Sequence, residues 1–128
     1  MSKSVLVVDD EHSIRNLLVE FLQIGGYETF EACNGQEGLR QVFDNQPDLI
    51  VTDMRMPVMD GYEFSNHARS ISKAPIIMIT GITNAREKMA ILTPAVDVYL
   101  EKPVTLGNFL DRVFGLLSMD RQPTKSIE

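Results

Sequence analysis

Four apolar runs in this chain each end on a residue with chemistry to offer. Val5-Leu6-Val7-Val8 runs into Asp9-Asp10, Leu49-Ile50-Val51-Thr52 into Asp53, Ile76-Ile77-Met78-Ile79 into Thr80, and Val98-Tyr99-Leu100-Glu101 into Lys102-Pro103. Short continuous apolar runs bounded by turn residues read as strands buried on both faces. Helical spacing fills the intervals. Ile14, Leu17, Leu18, Phe21 and Leu22 predict a helix over Ser13–Ile24, stopped by Gly25-Gly26. Glu28–Ala32 alternates more and suits an edge strand. Gly38, Leu39, Val42 and Phe43 give a second helix its core face, between Asn34-Gly35 and Gln46-Pro47. Tyr62, Phe64, Ala68 and Ile71 suggest a third helix. Met89, Ile91 and Leu92 suggest a fourth, capped by Thr83 or Asn84. A fifth strand over Val96–Glu101 precedes a last helix with Leu106, Phe109, Leu110, Val113, Phe114 and Leu117.

Strands alternating with helices imply βαβ units and a parallel sheet covered on both faces. Ligands of such open sheets bind beyond the carboxyl ends of the strands. Asp9, Asp10, Asp53, Thr80 and Lys102 would gather on that edge. A chain of 128 residues suits one domain with one core. The expected boundaries are a domain over 1–119 and a polar tail or linker stub over 120–128. A net charge of −6 without a Lys/Arg block argues against direct nucleic-acid binding, which needs a basic footprint. The single cysteine, Cys33, forbids an intrachain disulfide and reads as a small packing residue. The N-terminus lacks an apolar signal segment, and no apolar run approaches membrane-spanning length. These features lead to the expectation of a cytoplasmic chain with no membrane association.

Two carboxylates about 5 Å apart repel by roughly 3 kcal/mol at an effective dielectric near 20. Asp9, Asp10 and Asp53 together therefore call for protonation or a cation, and Mg²⁺, held by a few carboxylates and water, is the expected one. A carboxylate such as Asp53 can attack phosphorus to form an aspartyl-phosphate. Lys102 supplies a point charge for a phosphoryl oxygen, and also offsets the acids. Thr80 offers a hydroxyl donor.

Val5 through Glu11, Asp53-Met54-Arg55-Met56-Pro57-Val58-Met59-Asp60-Gly61, Thr80, and Tyr99-Leu100-Glu101-Lys102-Pro103, in that order, resemble the receiver domain of two-component response regulators. The resemblance runs from about Lys3 to Leu117 and is chemotaxis-regulator-like. It implies a flavodoxin-like (βα)5 fold with strand order 2-1-3-4-5. It implies Asp53 as phosphoacceptor, served by a histidine kinase or a histidine phosphotransfer protein. It implies Mg²⁺ at Asp9, Asp10, Asp53 and the backbone carbonyl of Arg55. Thr80 and Tyr99 would form the switch, with the ring turning inward on phosphorylation. The surface of the fourth helix, fifth strand and fifth helix would then change for a downstream protein target or effector domain. Such a domain is a signalling switch that catalyses only its own phosphoryl transfer and dephosphorylation. It is expected to be monomeric, with dimerisation on phosphorylation open.

Departures from the family pattern are specific. Arg55, two residues after the phosphoacceptor, can pair with the phosphoryl group or Glu11 and so tune its lifetime; the alternative is that it points to solvent. Gly81 after Thr80 leaves a gap for the donor. Thr93-Pro94-Ala95 replaces a Gly-Ala pair, so Pro94 should end the fourth helix sharply and Ala95 makes a left-handed turn unfavourable. Asp97 and Arg112 suit either inter-subunit ion pairs or solvation. His12 and His67 are read as ordinary helix residues. Two other classes compete. A phosphatase of the haloacid-dehalogenase type needs an acid two residues after its nucleophile, where Arg55 stands. A flavin carrier on the same fold needs a phosphate loop after the first strand, where Asp9-Asp10-Glu11 would repel the phosphate.

Overall fold

A computed structural model describes residues 2–119. The expected polar tail over 120–128 lies outside the described residues. Along the chain run β1 (Ser4–Val8), α1 (His12–Ile24), β2 (Glu28–Ala32), α2 (Gly35–Asn45), β3 (Leu49–Asp53), α3 (Gly61–Arg69), β4 (Ile76–Thr80), α4 (Ala85–Ala90), β5 (Val98–Glu101) and α5 (Leu106–Ser118). Five parallel strands form one sheet in the order β2-β1-β3-β4-β5, the flavodoxin-like arrangement expected. The order reverses at β1. Val8 pairs with Thr52 across β1 and β3, so the next residues, Asp9 and Asp53, face each other at the reversal.

Alternation along the central strands divides the core in two. Val5, Val7, Val51, Ile77 and Ile79 pack with Leu18, Leu22, Phe109 and Val113 from α1 and α5. Leu6, Val8, Ile50, Ile76 and Met78 pack on the other face with Val42, Phe64 and Ala68 from α2 and α3. β1, β3 and β4 are buried at every position, as strands covered by helices on both faces must be. Side chains begin every helix but α1, whose N-cap residue Glu11 makes no capping bond. Asn34 accepts from the Glu37 amide, Asp60 and Glu63 form a reciprocal capping box, and Asn84 rather than Thr83 caps α4.

Several apolar residues stand apart from the core. Phe43, expected on the inner face of α2, is 71% exposed. Gly38 and Val42, four apart, take the inner position; a Cβ on Gly38 would lie 2.8 Å from the Phe64 ring. Phe43, one residue on, is rotated by about 100°. Ile71 falls beyond the end of α3 and is exposed, as are Tyr62, Met89, Leu92 and Phe114. Cys33 is also exposed rather than packed: Ala32 fills the last buried place of β2, and Cys33 leads into the Asn34 cap.

The stretch before β5 differs from its sequence reading. α4 ends at Ala90, well before Pro94, and β5 starts at Val98 rather than Val96. Ala95 is not left-handed; the non-glycine residues with positive φ are Gln46 and Val58 among the described residues. Among those residues no helix is long and apolar enough to cross a membrane.

Candidate functional site

The acidic edge assembles because β1 and β3 are neighbours. Asp9, Asp10 and Asp53 place carboxylate oxygens within 4.8 Å of one another. Asp9 is 1% exposed and Asp53 4%, while Asp10 is exposed. Asp9 Oδ1 accepts the Glu11 amide at 2.9 Å. Burial nonetheless pushes the Asp9 pKa up to about 6, and the nearby Asp53 and Asp10 charges add to that rise. Burial also raises the Asp53 pKa, against the opposing pull of Lys102. Three acids so placed form a donor set for a hard divalent cation.

Lys102 completes the group. Its Nζ lies 3.0 Å from Asp53 Oδ1, and its amide donates to the Thr80 carbonyl at 2.9 Å. Burial pulls the Lys102 pKa down, but pairing with Asp53 and the field of the acids outweigh it, and the net shift is upward. The Lys102-Pro103 peptide is cis. Thr80 is buried, and its Oγ1 accepts the Ile82 amide at 3.0 Å, which leaves the hydroxyl proton for another acceptor. A Cβ on Gly81 would meet only Lys102 Cδ, at 4.0 Å, so space is open beside Thr80.

The loop from β3 to α3 returns tightly under Asp53. The Gly61 amide donates to the Met54 carbonyl at 2.7 Å, and a Cβ there would sit 2.3 Å from the Asp53 carbonyl oxygen. Val58, at φ +72°, is 90% exposed, and the next amide, Met59, donates to the Pro57 carbonyl at 2.8 Å. That makes a γ-turn, unusual for a β-branched residue. Arg55 is exposed, with no hydrogen bond or ion pair among the described residues, so it does not pair with Glu11.

Tyr99 is already turned inward. Its hydroxyl donates to the Ile91 carbonyl at 3.0 Å and accepts the Thr93 amide at 2.9 Å, and its ring packs on the second core. Burial raises its pKa. Thr93 in turn donates through Oγ1 to Asn66 Oδ1 on α3 at 2.8 Å. Lys88 of α4 pairs with Glu101. Asp97 is engaged within the chain: it pairs with Arg69 at 3.4 Å and accepts the Ile76 amide at 2.8 Å. His67 is exposed on the last turn of α3, and His12 is exposed on α1 beside Arg15 and Asn16.

Sequence reasoning missed Arg15, Thr93 and Arg69. Arg15 carried a signal: a cation near a helix N-terminus opposes the macrodipole and asks for a compensating partner. Arg15 has several: the Asp9 carbonyl, the Glu31 carboxylate and the His12 ring. Thr93 was read only as a departure, and nothing local announces its partner on α3.

Comparison with known proteins agrees with this geometry. The family model described as response regulator receiver domain matches residues 5–114. A probable transcriptional regulator ycf27 of Cyanophora paradoxa is 37% identical over 124 residues, 97% of this chain and 52% of that protein. The KDP operon transcriptional regulatory protein KdpE of Escherichia coli (strain K12) is 36% identical over 86% of this chain and 49% of its own length. The chain thus spans about half the length of the curated relatives it matches. Among solved structures, Vibrio cholerae chemotaxis protein CheY4 is 33% identical with a TM-score of 0.81, covering 91% of this chain and 99% of that one. A putative response regulator from Chloroflexus aurantiacus is 30% identical with a TM-score of 0.86, covering 93% of this chain and 100% of the other.

Proposed function

This chain belongs to the response regulator receiver domain family, a family of signalling domains, and from that premise we propose that Asp53 is its phosphoacceptor. The observation that carries the proposal is the convergence of the Asp9, Asp10 and Asp53 carboxylates, with the Lys102 ammonium 3.0 Å from Asp53. The domain is a receiver of a two-component or phosphorelay system. In it an Asp53 carboxylate oxygen attacks the phosphorus of a phosphohistidine. A P–O bond forms, the P–N bond breaks, and its electron pair stays on the departing imidazole. The donor is a histidine kinase or a histidine phosphotransfer protein.

The gathering of the Asp9, Asp10 and Asp53 carboxylate oxygens within 4.8 Å of one another supports a divalent cation at the site, because three ionised acids this close need a counter-charge. Asp9, Asp10, Asp53 and the Arg55 backbone carbonyl would hold Mg²⁺. When bound, Mg²⁺ neutralises charge that develops on the transferred phosphoryl oxygens. Lys102 is placed to shift from Asp53 to a phosphoryl oxygen, and Thr80 to donate its hydroxyl proton to another. The open space beside Gly81 admits the donor. Arg55, exposed and without a hydrogen bond or ion pair among the described residues, can swing toward the phosphoryl group and tune its lifetime; its guanidinium cannot act as the general acid a phosphatase needs.

Thr80 and Tyr99 form the switch. Because the Tyr99 ring is inward before phosphorylation, its part is not the inward turn expected from the sequence but a change in its hydroxyl's hold on Ile91 and Thr93. α4, β5 and α5 present the changed surface to a downstream protein target or effector domain in the cytoplasm. Intact mass after incubation with acetyl phosphate and Mg²⁺ tests the reading. Wild type gains one phosphoryl group, Asp53→Asn gains none, and EDTA added beforehand abolishes the gain. Equal labelling of Asp53→Asn would overturn the assignment.

A further inference from the structure

The three acids are not held alike. Asp53 is fixed by Lys102, and Asp9 by the Glu11 amide. Asp10 is exposed and makes no hydrogen bond or ion pair of its own among the described residues. What directs its carboxylate is the backbone that carries it. The Asp9 carbonyl belongs to the peptide joining Asp9 to Asp10, so holding that carbonyl fixes the plane that carries the Asp10 nitrogen and Cα, the base from which the side chain's own torsions reach toward the ion.

Arg15 holds that carbonyl. Its Nη1 donates to the Asp9 oxygen at 2.8 Å. The guanidinium is itself anchored: Nε donates to Glu31 Oε1 on β2 at 3.1 Å, and Nη2 lies 3.1 Å from His12 Nδ1. The Arg15 side chain is only 14% exposed. The Asp9 amide closes the other side by donating to the Ala32 carbonyl at 3.1 Å. The acid turn is therefore clamped between α1 and the edge strand, through a planar fork that a lysine cannot reproduce.

We propose that Arg15 is a positioning residue for the cation site: it sets the Asp9–Asp10 peptide so that the Asp10 carboxylate is aimed at the ion. This inference rests on the cation reading above. Groups that orient metal ligands from behind commonly matter by about 10–100-fold in affinity.

Binding of Mn²⁺ to the full chain, followed by loss of the free-ion EPR signal, tests it. The proteins are wild type, Arg15→Lys, Arg15→Met and Arg69→Ala, each also melted in EDTA. Arg69 is the control: it donates at 3.0 Å to both the Ser72 and Ala95 carbonyls, away from the acids. The expected result is affinity about tenfold weaker in both Arg15 variants. Arg69→Ala should lower the melting temperature and leave Mn²⁺ affinity at the wild-type value. Wild-type affinity in both Arg15 variants would overturn the inference and leave the cation site standing. Full rescue by Arg15→Lys alone would overturn it too, because charge rather than the fork would then suffice. Absence of Mn²⁺ binding by wild type would overturn the cation reading, and this inference with it.

Discussion

Lys102 reaches Asp53 over the end of an intervening strand: Nζ lies 3.0 Å from Oδ1, with β4 between β3 and β5. A buried carboxylate raised by burial is thus countered by a cation from two strands away. Breaking such a pair by removing one partner leaves the other charge stranded. Lys102 is partly solvated, so the effect is moderated. Lys102→Met should lower metal-free stability by about 1–2 kcal/mol at pH 7.5. At pH 5 the loss should shrink, because Asp53 takes up a proton more readily without its partner. Urea unfolding at both pH values reads this out; an equal loss at each would show that the pair is not the cause.

Asp9 makes the metal-free domain less stable as pH rises. The folded protein keeps a proton on Asp9 up to about pH 6, chiefly because the group is buried, whereas an ordinary carboxyl releases it near 3.8. Between those values the folded state binds more protons than the unfolded chain, so stability falls with rising pH. The stabilisation is fully present below the lower value and gone above about pH 6. A shift of this size corresponds to about 3 kcal/mol as an order of magnitude. In EDTA, urea midpoints should fall from pH 4 to 6.5 in wild type and stay flatter in Asp9→Asn. Saturating Mg²⁺ should oppose the trend, since a ligand of the folded state stabilises it and ionised acids bind better.

Gly61 is required by close approach rather than by its φ. A Cβ would lie 2.3 Å from the Asp53 carbonyl oxygen and 2.9 Å from Met54 Cα. Both neighbours are backbone and cannot move aside without displacing Asp53. Gly61→Ala should cost about 2–3 kcal/mol and slow labelling by acetyl phosphate. Gly107, where a Cβ meets nothing within 4 Å, is the control: Gly107→Ala should be neutral or stabilising in the same two assays.

The Tyr99 hydroxyl ties down the segment between α4 and β5. It bonds both the Ile91 carbonyl and the Thr93 amide. Tyr99→Phe removes both bonds and should destabilise by about 1–2 kcal/mol. The Thr93 amide should then exchange faster with deuterium, while amides of β1 should not. Unchanged exchange at Thr93 would show that the loop holds itself.

The sheet, and the residues that meet in the candidate site, were largely legible in the chain because each central strand is a continuous apolar run ending in a polar residue. Val8-Asp9, Thr52-Asp53 and Ile79-Thr80 announce strand and edge together. The helices were less legible in detail. Phe43 and Phe114 fit a helical period yet face solvent, because periodicity marks a face loosely and neighbours such as Gly38 and Val42 choose its centre. α4 has no buried residue, so composition had little to report about its extent. Ala95 looked unfavourable only because a left-handed turn was assumed there, and no such turn forms.

The sequence by itself determined the alternation of strands and helices, the residues that terminate each strand, and through them the chemistry of the edge. These are local properties, written in period and punctuation. Only the tertiary structure decided that Asp9 is buried enough to hold its proton to about pH 6, that Arg15 clamps the Asp9 carbonyl from α1, and that Thr93 joins Tyr99 to Asn66. Each of these depends on groups brought together from different elements, or on the water that packing excludes. Neither has a local signature in the order of the residues.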